Sequence, residues 1–475
     1  MKIRNPRTGQ YDYEIPDLTS AEVNKICKDL RKNQHEWFKE GVENRIAVLQ
    51  EWKSVVIENR QALIDALCLD TGREWETILE VDLVASSIDR WCDIAKRFFI
   101  PSEQKNSSIP FIKLQQSLVP FELVGVISPW NFPLLLSLID TIPALLAGCA
   151  VVVKPSEVTP RFIAVMQQTI EAVPGIKKIF AYIPGDGIVG TELVNTCNLI
   201  CFTGSTTTGK KVYDAASKRM IPVFLELGGK DPVIVMESAD LDLAATSILW
   251  GSTANAGQSC LSIERIYVQE NVFEKFTKLL VEKANDLLLN STDIHYGEIG
   301  PIIFEKQARI INEHLSDAIE QGAEILTGNS SCDLINGGYY CKPTVLVNVT
   351  HNMKLMQEET FGPLMPVMPF STKEEAIALA NGTVYGLSAA VFAGTIEEAM
   401  EIGKEIDGGA ISINDCALTA IMHEGEKNSF KMSGIGGTRM GPSAIQRFMR
   451  QKVFIIKDQP IVAPWSTKKY RGEGL

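Results

Sequence analysis

Three residues of this chain have the types and settings needed for covalent attack on a carbonyl carbon. Cys260 ends the run Asn255-Ala256-Gly257-Gln258-Ser259-Cys260, between a helical segment and a β-branched run. A thiolate on such a turn can act as nucleophile, with neighbouring backbone N–H groups converging on the oxyanion that attack creates. Glu226 lies in Phe224-Leu225-Glu226-Leu227-Gly228-Gly229-Lys230. A carboxylate inside an apolar run is costly to desolvate, and desolvation moves its affinity for protons toward that of a general base. Asn131 sits in Pro129-Trp130-Asn131-Phe132-Pro133, where an amide flanked by bulky groups can donate to an oxyanion. Plainer readings stand beside two of these. The chain has 10 cysteines, so a small buried thiol is the default for any one of them. Glu226 alone could be a paired strand-end carboxylate.

Two other stretches suit a phosphate-bearing ligand. Gly204-Ser205-Thr206-Thr207-Thr208-Gly209 follows a strand-like run and opens a helical one. Glycines there let the backbone approach a pyrophosphate, and a helix N-terminus presents N–H groups and a positive dipole end. The spacing is not G-x-G-x-x-G, so a standard phosphate grip is not implied, and an ordinary turn explains the pattern equally well. Lys154-Pro155-Ser156-Glu157 puts a cation and a carboxylate at a strand's C-terminal end, where ribose hydroxyls arrive in doubly wound sheets.

The elements that must position these groups follow from periodicity. The first hundred residues read as helices: Val23, Ile26 and Leu30 share a face, as do Ile57, Leu63, Ile64 and Leu67 before a stop at Thr71-Gly72. From about residue 120, short β-branched runs alternate with helical segments. Strands are predicted at 124–127, 150–153, 179–183 and 199–202, then at 233–236, 263–268 and 410–413, with Asp240 as a helix N-cap. Helices are predicted around 271–288, 304–321, 373–380 and 395–406. Such alternation implies parallel sheets covered on both faces. The fold class is therefore α/β, with two doubly wound parallel-sheet domains joined near Gly228-Gly229. The segments 106–120 and 448–475 fit neither unit and read as small oligomerisation strands and a tail. The 448–475 segment would pair either with another subunit or with the chain's own Ser107–Pro120 stretch.

Length and charge narrow the class. A chain of 475 residues exceeds one compact core. A net charge of -12 argues against a nucleic-acid partner, which needs clustered Lys and Arg. No apolar signal segment opens the sequence, and the most apolar stretch, Phe132 to Val153, is interrupted by Asp140, Pro143 and Gly148. It reads as a buried helix followed by a strand, not a membrane span. The cysteines lack metal-ligand spacing, so no metal centre is expected, and a cytoplasmic setting with reduced thiols is.

Taken together, Pro129–Pro133, Lys154–Glu157, Phe202–Gly209, Glu226–Lys230, Gly257–Cys260, Glu359-Thr360-Phe361-Gly362-Pro363 and Lys431-Met432-Ser433-Gly434 resemble the aldehyde dehydrogenase superfamily in order and approximate spacing. The resemblance runs from about residue 15 to 458. It implies that Cys260 forms a thiohemiacetal and then a thioester, that Asn131 and the Cys260 N–H hold the oxyanion, and that Glu226 activates the hydrolytic water. It also assigns Lys154 and Glu157 to the adenosine ribose, Ser205 to the pyrophosphate, and Glu359 with Phe361 to the nicotinamide end. Trp130, Gly187, Gly204, Gly209 and Leu227 complete the implied dinucleotide site. The implied units are a dinucleotide-binding domain at 1–105 and 121–228 and a catalytic domain at 229–447. NAD is favoured, because Glu157 accepts from a ribose 2′-OH and repels a 2′-phosphate, while Lys154 leaves NADP open. A homodimer or homotetramer is expected. Retention of Glu226 favours hydrolysis over transfer to coenzyme A; an acylating enzyme and a non-catalytic protein on this fold stay as alternatives.

Departures from the family pattern are equally specific. Many hydrolytic relatives have Lys where Asp140 stands and Glu where Thr438 stands, two groups thought to connect the base to solvent. The proton route from Glu226 must therefore differ, running through water and backbone or through Asp140 itself; the favoured reading of Asp140 is a helix-surface or simply hydrogen-bonded residue. Relatives commonly read Pro-Phe-Gly-Gly before Lys-x-Ser-Gly, whereas here the sequence is Glu426-Lys427-Asn428-Ser429-Phe430. The Ile421–Phe430 loop, with His423, Glu424 and Glu426, reads as a polar lid or a solvated surface loop. Leu135, Leu136, Ile139, Ala254, Ser259 and Leu261 are expected to line the substrate path. Their mostly apolar character suggests a medium or large apolar or aromatic aldehyde.

Overall fold

Strand Val223–Glu226 ends one parallel sheet and strand Asp231–Val235 begins another, so Gly228 and Gly229 lie at the junction between them. The computed structural model describes residues 1–100, 103–109 and 112–457. The first sheet runs, edge to edge, Gly434–Ile435, Val223–Glu226, Leu199–Thr203, Leu123–Ile127, Ala150–Lys154 and Phe180–Tyr182, parallel except for its first strand. The second runs Glu324–Thr327, Thr344–Val347, Leu364–Phe370, Ile263–Gln269, Asp231–Val235, Ser388–Phe392 and Ala410–Ile413, parallel except for the 324–327 strand.

The composition of these strands explains their burial. Val151, Val152 and Val153 are buried with no polar alternation, because helices cover both faces of a parallel sheet. In the first sheet, strand order reverses between Leu123–Ile127 and Leu199–Thr203, and at such a switch point the following turns diverge and leave a crevice. The turns bearing Asn131 and Gly204 leave the C-terminal ends of these two strands.

The helix signals act as expected. Asp240 accepts from the N–H groups of Asp242 and Leu243 and caps Leu241–Thr253. Gly72 closes Arg60–Thr71 in the left-handed region at φ 70°. The apolar 132–147 stretch is two short helices, Pro133–Leu138 and Thr141–Ala147, rather than one. The break falls at Asp140, whose buried carboxylate is drawn into ion pairs with Arg439 and Arg447.

Late in the sequence the chain returns to the first unit. Ala444 and Ile445 are buried in the core that includes the first sheet, although sequence order places 229–447 with the second, and Phe448, expected with the tail, joins the same core. Strand Met449–Lys457 pairs antiparallel with Ile112–Pro120 along its whole length, so of the two expected pairings the intrachain one is present. Val453, Phe454 and Ile455 on the 449–457 strand remain exposed. Residues 458–475 of the expected tail, and 110–111, lie outside the described residues. Among the described residues no helix is long and apolar enough to cross a membrane, and no cluster of His, Cys, Asp and Glu could hold a metal ion.

Candidate active site at the junction of the two sheets

Cys260 follows a turn that few sequences could adopt. Asn255 and Ala256 both have positive φ, 54° and 52°, and Gly257 follows at 70°. A Cβ on Gly257 would lie 2.3 Å from the Gly362 carbonyl carbon, so glycine is required there by both backbone and space. The turn is fixed by its own side chains. Asn255 Nδ2 donates to the carbonyls of Gln258 (3.0 Å) and Asn131 (3.1 Å). Gln258 Nε2 donates to the Asn255 and Pro301 carbonyls, and its Oε1 accepts from Ile303 N.

Asn131 meets this turn from the first sheet. Its Nδ2 donates to the Gln258 carbonyl at 3.0 Å, two residues before the thiol, and its own carbonyl accepts from Arg73 Nη2 at 2.6 Å. Arg73 also lies over the Phe132 ring and 3.6 Å from the buried Glu80. Glu80 in turn accepts from the N–H groups of Leu134 and Leu135, and burial pushes its carboxyl up to about 7. Glu76 accepts from Asn255 N. The Trp75–Phe98 helix and the turn before it therefore brace both the amide and the cysteine turn. These bracing residues carry no motif of their own, and only the helical placement of 76 and 80 on one face hints at them.

Glu226 ends the strand that pairs with Leu199–Thr203 and, on its other side, with Gly434–Ile435. Its carboxylate accepts from Lys427 Nζ at 3.1 Å and Ser429 Oγ at 3.0 Å. Burial pushes the Cys260 thiol up to about 12; Glu226, Glu359 and Asp231 add to this, and Lys427 opposes them. No motif or composition signal marks Lys427 or Ser429 as partners of Glu226. Along 421–430 exposure alternates: Glu424, Glu426, Asn428 and Phe430 face out, while His423, Gly425, Lys427 and Ser429 are half-buried. Two of the three residues chosen from sequence in that loop thus face outward, and an extended segment's period of two supplies the reason.

The Asp140 carboxylate is held between Arg439, at 2.7 Å, and Arg447. It is buried and not on a helix surface; the two guanidiniums hold it below the usual aspartate range against the penalty of burial. Thr438 accepts from Lys427 N and donates to the Met440 carbonyl. Neither residue contacts Glu226 directly. A cavity of about 10 Å³ lies among Asp140, Glu226, Arg439 and Arg447, close to the smallest volume that holds one water.

Lys154, Glu157, Gly187, Gly204 and Ser205 lie at or after C-terminal strand ends of the first sheet, whereas Glu359 and Phe361 precede the Leu364–Phe370 strand of the second. Ser205 caps Thr206–Ser217 by accepting from Thr208 N, leaving an exposed helix N-terminus beside Gly204. A Cβ on Gly209 would lie 2.4 Å from Leu227 Cδ2, so the missing side chain permits close helix packing. Lys154 Nζ is buried and donates to Gly185 O and Pro155 O, with Glu157 Oε2 at 3.4 Å. Gly187 begins the helix Gly187–Thr196. Trp130 packs edge-on to Phe361 at 5.4 Å. Glu359 accepts from Gly229 N at 3.0 Å, and burial pushes its carboxyl up to about 8. The buried Lys230–Glu264 pair anchors this segment: Glu264 accepts from Thr360 N and Phe361 N, and Lys230 donates to Thr360 Oγ1. The crevice, the free helix N-terminus and the glycine cradle fit a dinucleotide.

The aldehyde dehydrogenase family model matches residues 1–454. The chain belongs to the aldehyde dehydrogenase family. A Mycobacterium bovis protein provisionally named succinate-semialdehyde dehydrogenase 2, with NADP(+) in its name, is 33% identical over 93% of this chain and 85% of its own length. A Pseudomonas putida 3-sulfolactaldehyde dehydrogenase is 31% identical over 92% of this chain and 90% of its own. Among solved structures, an Anabaena variabilis chain provisionally named aldehyde dehydrogenase PutA is 54% identical, with TM-score 0.96 over 98% of this chain and 99% of that one. Staphylococcus aureus betaine aldehyde dehydrogenase, solved with NAD+, is 30% identical at TM-score 0.92, covering 98% of this chain and 93% of that one. As an aldehyde dehydrogenase, the chain brings Asn131 and the Cys260 turn into contact, with Glu226 close enough for its charge to bear on the thiol.

The expected substrate-lining residues, Leu135, Leu136, Ile139, Ala254, Ser259 and Leu261, are all half-buried.

Proposed function

We propose that this aldehyde dehydrogenase oxidises an aldehyde to its carboxylic acid with NAD, NADP also being admissible. Cys260 attacks the carbonyl carbon, and the Asn131 amide with the Cys260 N–H stabilises the oxyanion. The nicotinamide, when bound, supplies the hydride acceptor. Glu226 then takes a proton from the water that hydrolyses the Cys260 thioester, releasing acid and free thiol. Lys154, Glu157, Gly187, Gly204, Ser205, Gly209 and Leu227 would hold the adenosine and phosphate end. Trp130, Glu359 and Phe361 would hold the nicotinamide end. The contact of Asn131 with the Cys260 turn, beside the Glu226 carboxylate, carries this reading.

The substrate class proposed is a medium or large apolar or aromatic aldehyde. Leu135, Leu136, Ile139, Ala254 and Leu261 support it by offering apolar, half-buried side chains. The site's ammonium, Lys427, is already engaged by Glu226 and is poorly placed to pair with a substrate carboxylate. The mycobacterial relative's name points the other way, to a carboxylated semialdehyde. A homo-oligomer built through the exposed 453–455 strand is the proposed assembly.

Turnover of hexanal, benzaldehyde and succinic semialdehyde, followed by reduced-cofactor absorbance with NAD or NADP, tests these points. Cys260→Ala is the blank. A clear preference for succinic semialdehyde would overturn the apolar reading, and a requirement for coenzyme A would overturn hydrolysis.

A further inference from the structure

Both oxygens of the Glu226 carboxylate are engaged by one segment, 427–429. Lys427 Nζ donates to Oε1 and Ser429 Oγ to Oε2. The Lys427 side chain is 9% exposed and that of Glu226 17%, so this is an ion pair withdrawn from bulk water. Its geometry is set by the backbone. Lys427 N donates to Thr438 Oγ1 at 3.1 Å, Phe430 N donates to Gly386 O at 2.8 Å, and Glu426 Oε1 accepts from Ser443 N at 3.0 Å. The segment is tied on both sides of Lys427.

We infer that Lys427 is a positioning residue for Glu226, and that its ammonium is the counter-charge allowing that carboxylate and the Cys260 thiolate to share one site. The inference rests on the proposed roles of Cys260 and Glu226. Four titratable groups bear on the thiol: Glu226 at its strand end, Asp231 at the start of the next strand, Glu359 beside Gly229, and Lys427 from the 421–430 loop; burial pushes Asp231 up to about 7 and Glu359 up to about 8, so both ionise before the thiol does. Three are acidic, and Lys427 is the cation among them. Glu226 itself faces Lys427 and Ser429 and feels the more distant charge of Arg439. Removing Lys427 would leave a half-buried carboxylate without its counter-charge, and such a group takes up a proton more readily near neutral pH while still ionising at the alkaline pH where the thiol titrates. Proton uptake near neutral pH removes the base that hydrolyses the thioester. Ser429 contributes direction without charge, so the two anchors separate experimentally.

Lys427→Met, Lys427→Arg and Ser429→Ala in the full chain provide the test, with Lys427→Gln as a second charge removal should Met not be tolerated. The first readout is the pH profile of Cys260 alkylation by iodoacetamide without aldehyde, followed by mass spectrometry. Lys427→Met should move the midpoint upward by about one pH unit, Lys427→Arg should restore it, and Ser429→Ala should leave it unchanged. The second readout is the time course of cofactor reduction. Lys427→Met and Ser429→Ala should retain a first-turnover burst while the following steady rate falls about tenfold or more. Wild-type alkylation and steady rates in both charge-removing variants would overturn the inference. So would equal loss in Lys427→Met and Lys427→Arg, because charge would then not matter. If Cys260→Ala still reduces cofactor, the reading of the site fails first; if it is inert while Lys427→Met behaves as wild type, the inference alone fails.

Discussion

Asn131 Nδ2 lies 3.0 Å from the Gln258 carbonyl, joining the turn after a first-sheet strand to the turn that presents Cys260. This contact holds the amide against the Cys260 turn, where the proposed mechanism puts the oxyanion. Asn131→Ala should lower kcat about 10²–10³-fold, the usual cost of one oxyanion donor, with a much smaller change in KM. Steady-state kinetics on the preferred aldehyde provide the check; an unchanged kcat would remove Asn131 from the mechanism.

Glu226→Gln should affect the two halves of the reaction in opposite senses. Loss of the base should slow steady turnover about 10²–10⁴-fold while a first-turnover burst survives. Glu226 pushes the Cys260 thiol up, so its neutralisation should move the midpoint of Cys260 alkylation downward. Burst kinetics and alkylation of the same preparation measure both.

Asp140 is a structural anion in this enzyme. Its two guanidinium partners hold it below the ordinary aspartate value, so it adds stability above the unfolded value of about 3.9 and loses that contribution as pH falls through the lower native value. Asp140→Asn leaves two buried arginines without their counter-charge. It should cost about 3–5 kcal/mol at pH 7, with the gap to wild type narrowing at acid pH. Urea denaturation at the two pH values decides; a gap independent of pH would contradict it.

Gly257→Ala combines a strained φ of 70° with a Cβ placed 2.3 Å from the Gly362 carbonyl carbon. Strain of about 1–3 kcal/mol should appear as a lowered Tm, and displacement of the cysteine turn should lower kcat more than the stability loss alone explains. A fully active, equally stable variant would show the turn to be adaptable.

Glu157 lies near the Lys154 ammonium and is partly exposed. Glu157→Gln should raise kcat/KM for NADP relative to NAD by about five- to tenfold, through loss of repulsion toward a 2′-phosphate. An unchanged ratio would place cofactor choice elsewhere.

The alternation of buried strands and helices, the junction at Gly228-Gly229, and the local settings of Cys260, Glu226 and Asn131 are legible in the amino acids alone. These are local properties: apolar periodicity, capping residues such as Asp240, and a glycine that only a left-handed turn needs. Contacts between residues far apart in the chain emerge only from folding. Asp140 read as an interruption in an apolar stretch; its two arginines lie about three hundred residues later in sequence, and burial of a carboxylate demands partners wherever they are found. The late turn with Ala444, Ile445 and Phe448 joined the first core because its apolar side chains found cover there, not because of its place in the sequence. Lys427 and Ser429 were overlooked because the loop's inward face depends on an extended path set by hydrogen bonds to Thr438 and Gly386. No composition signal encodes that path. The partner of the Glu226 carboxylate was therefore fixed by long-range packing, which a single sequence leaves open.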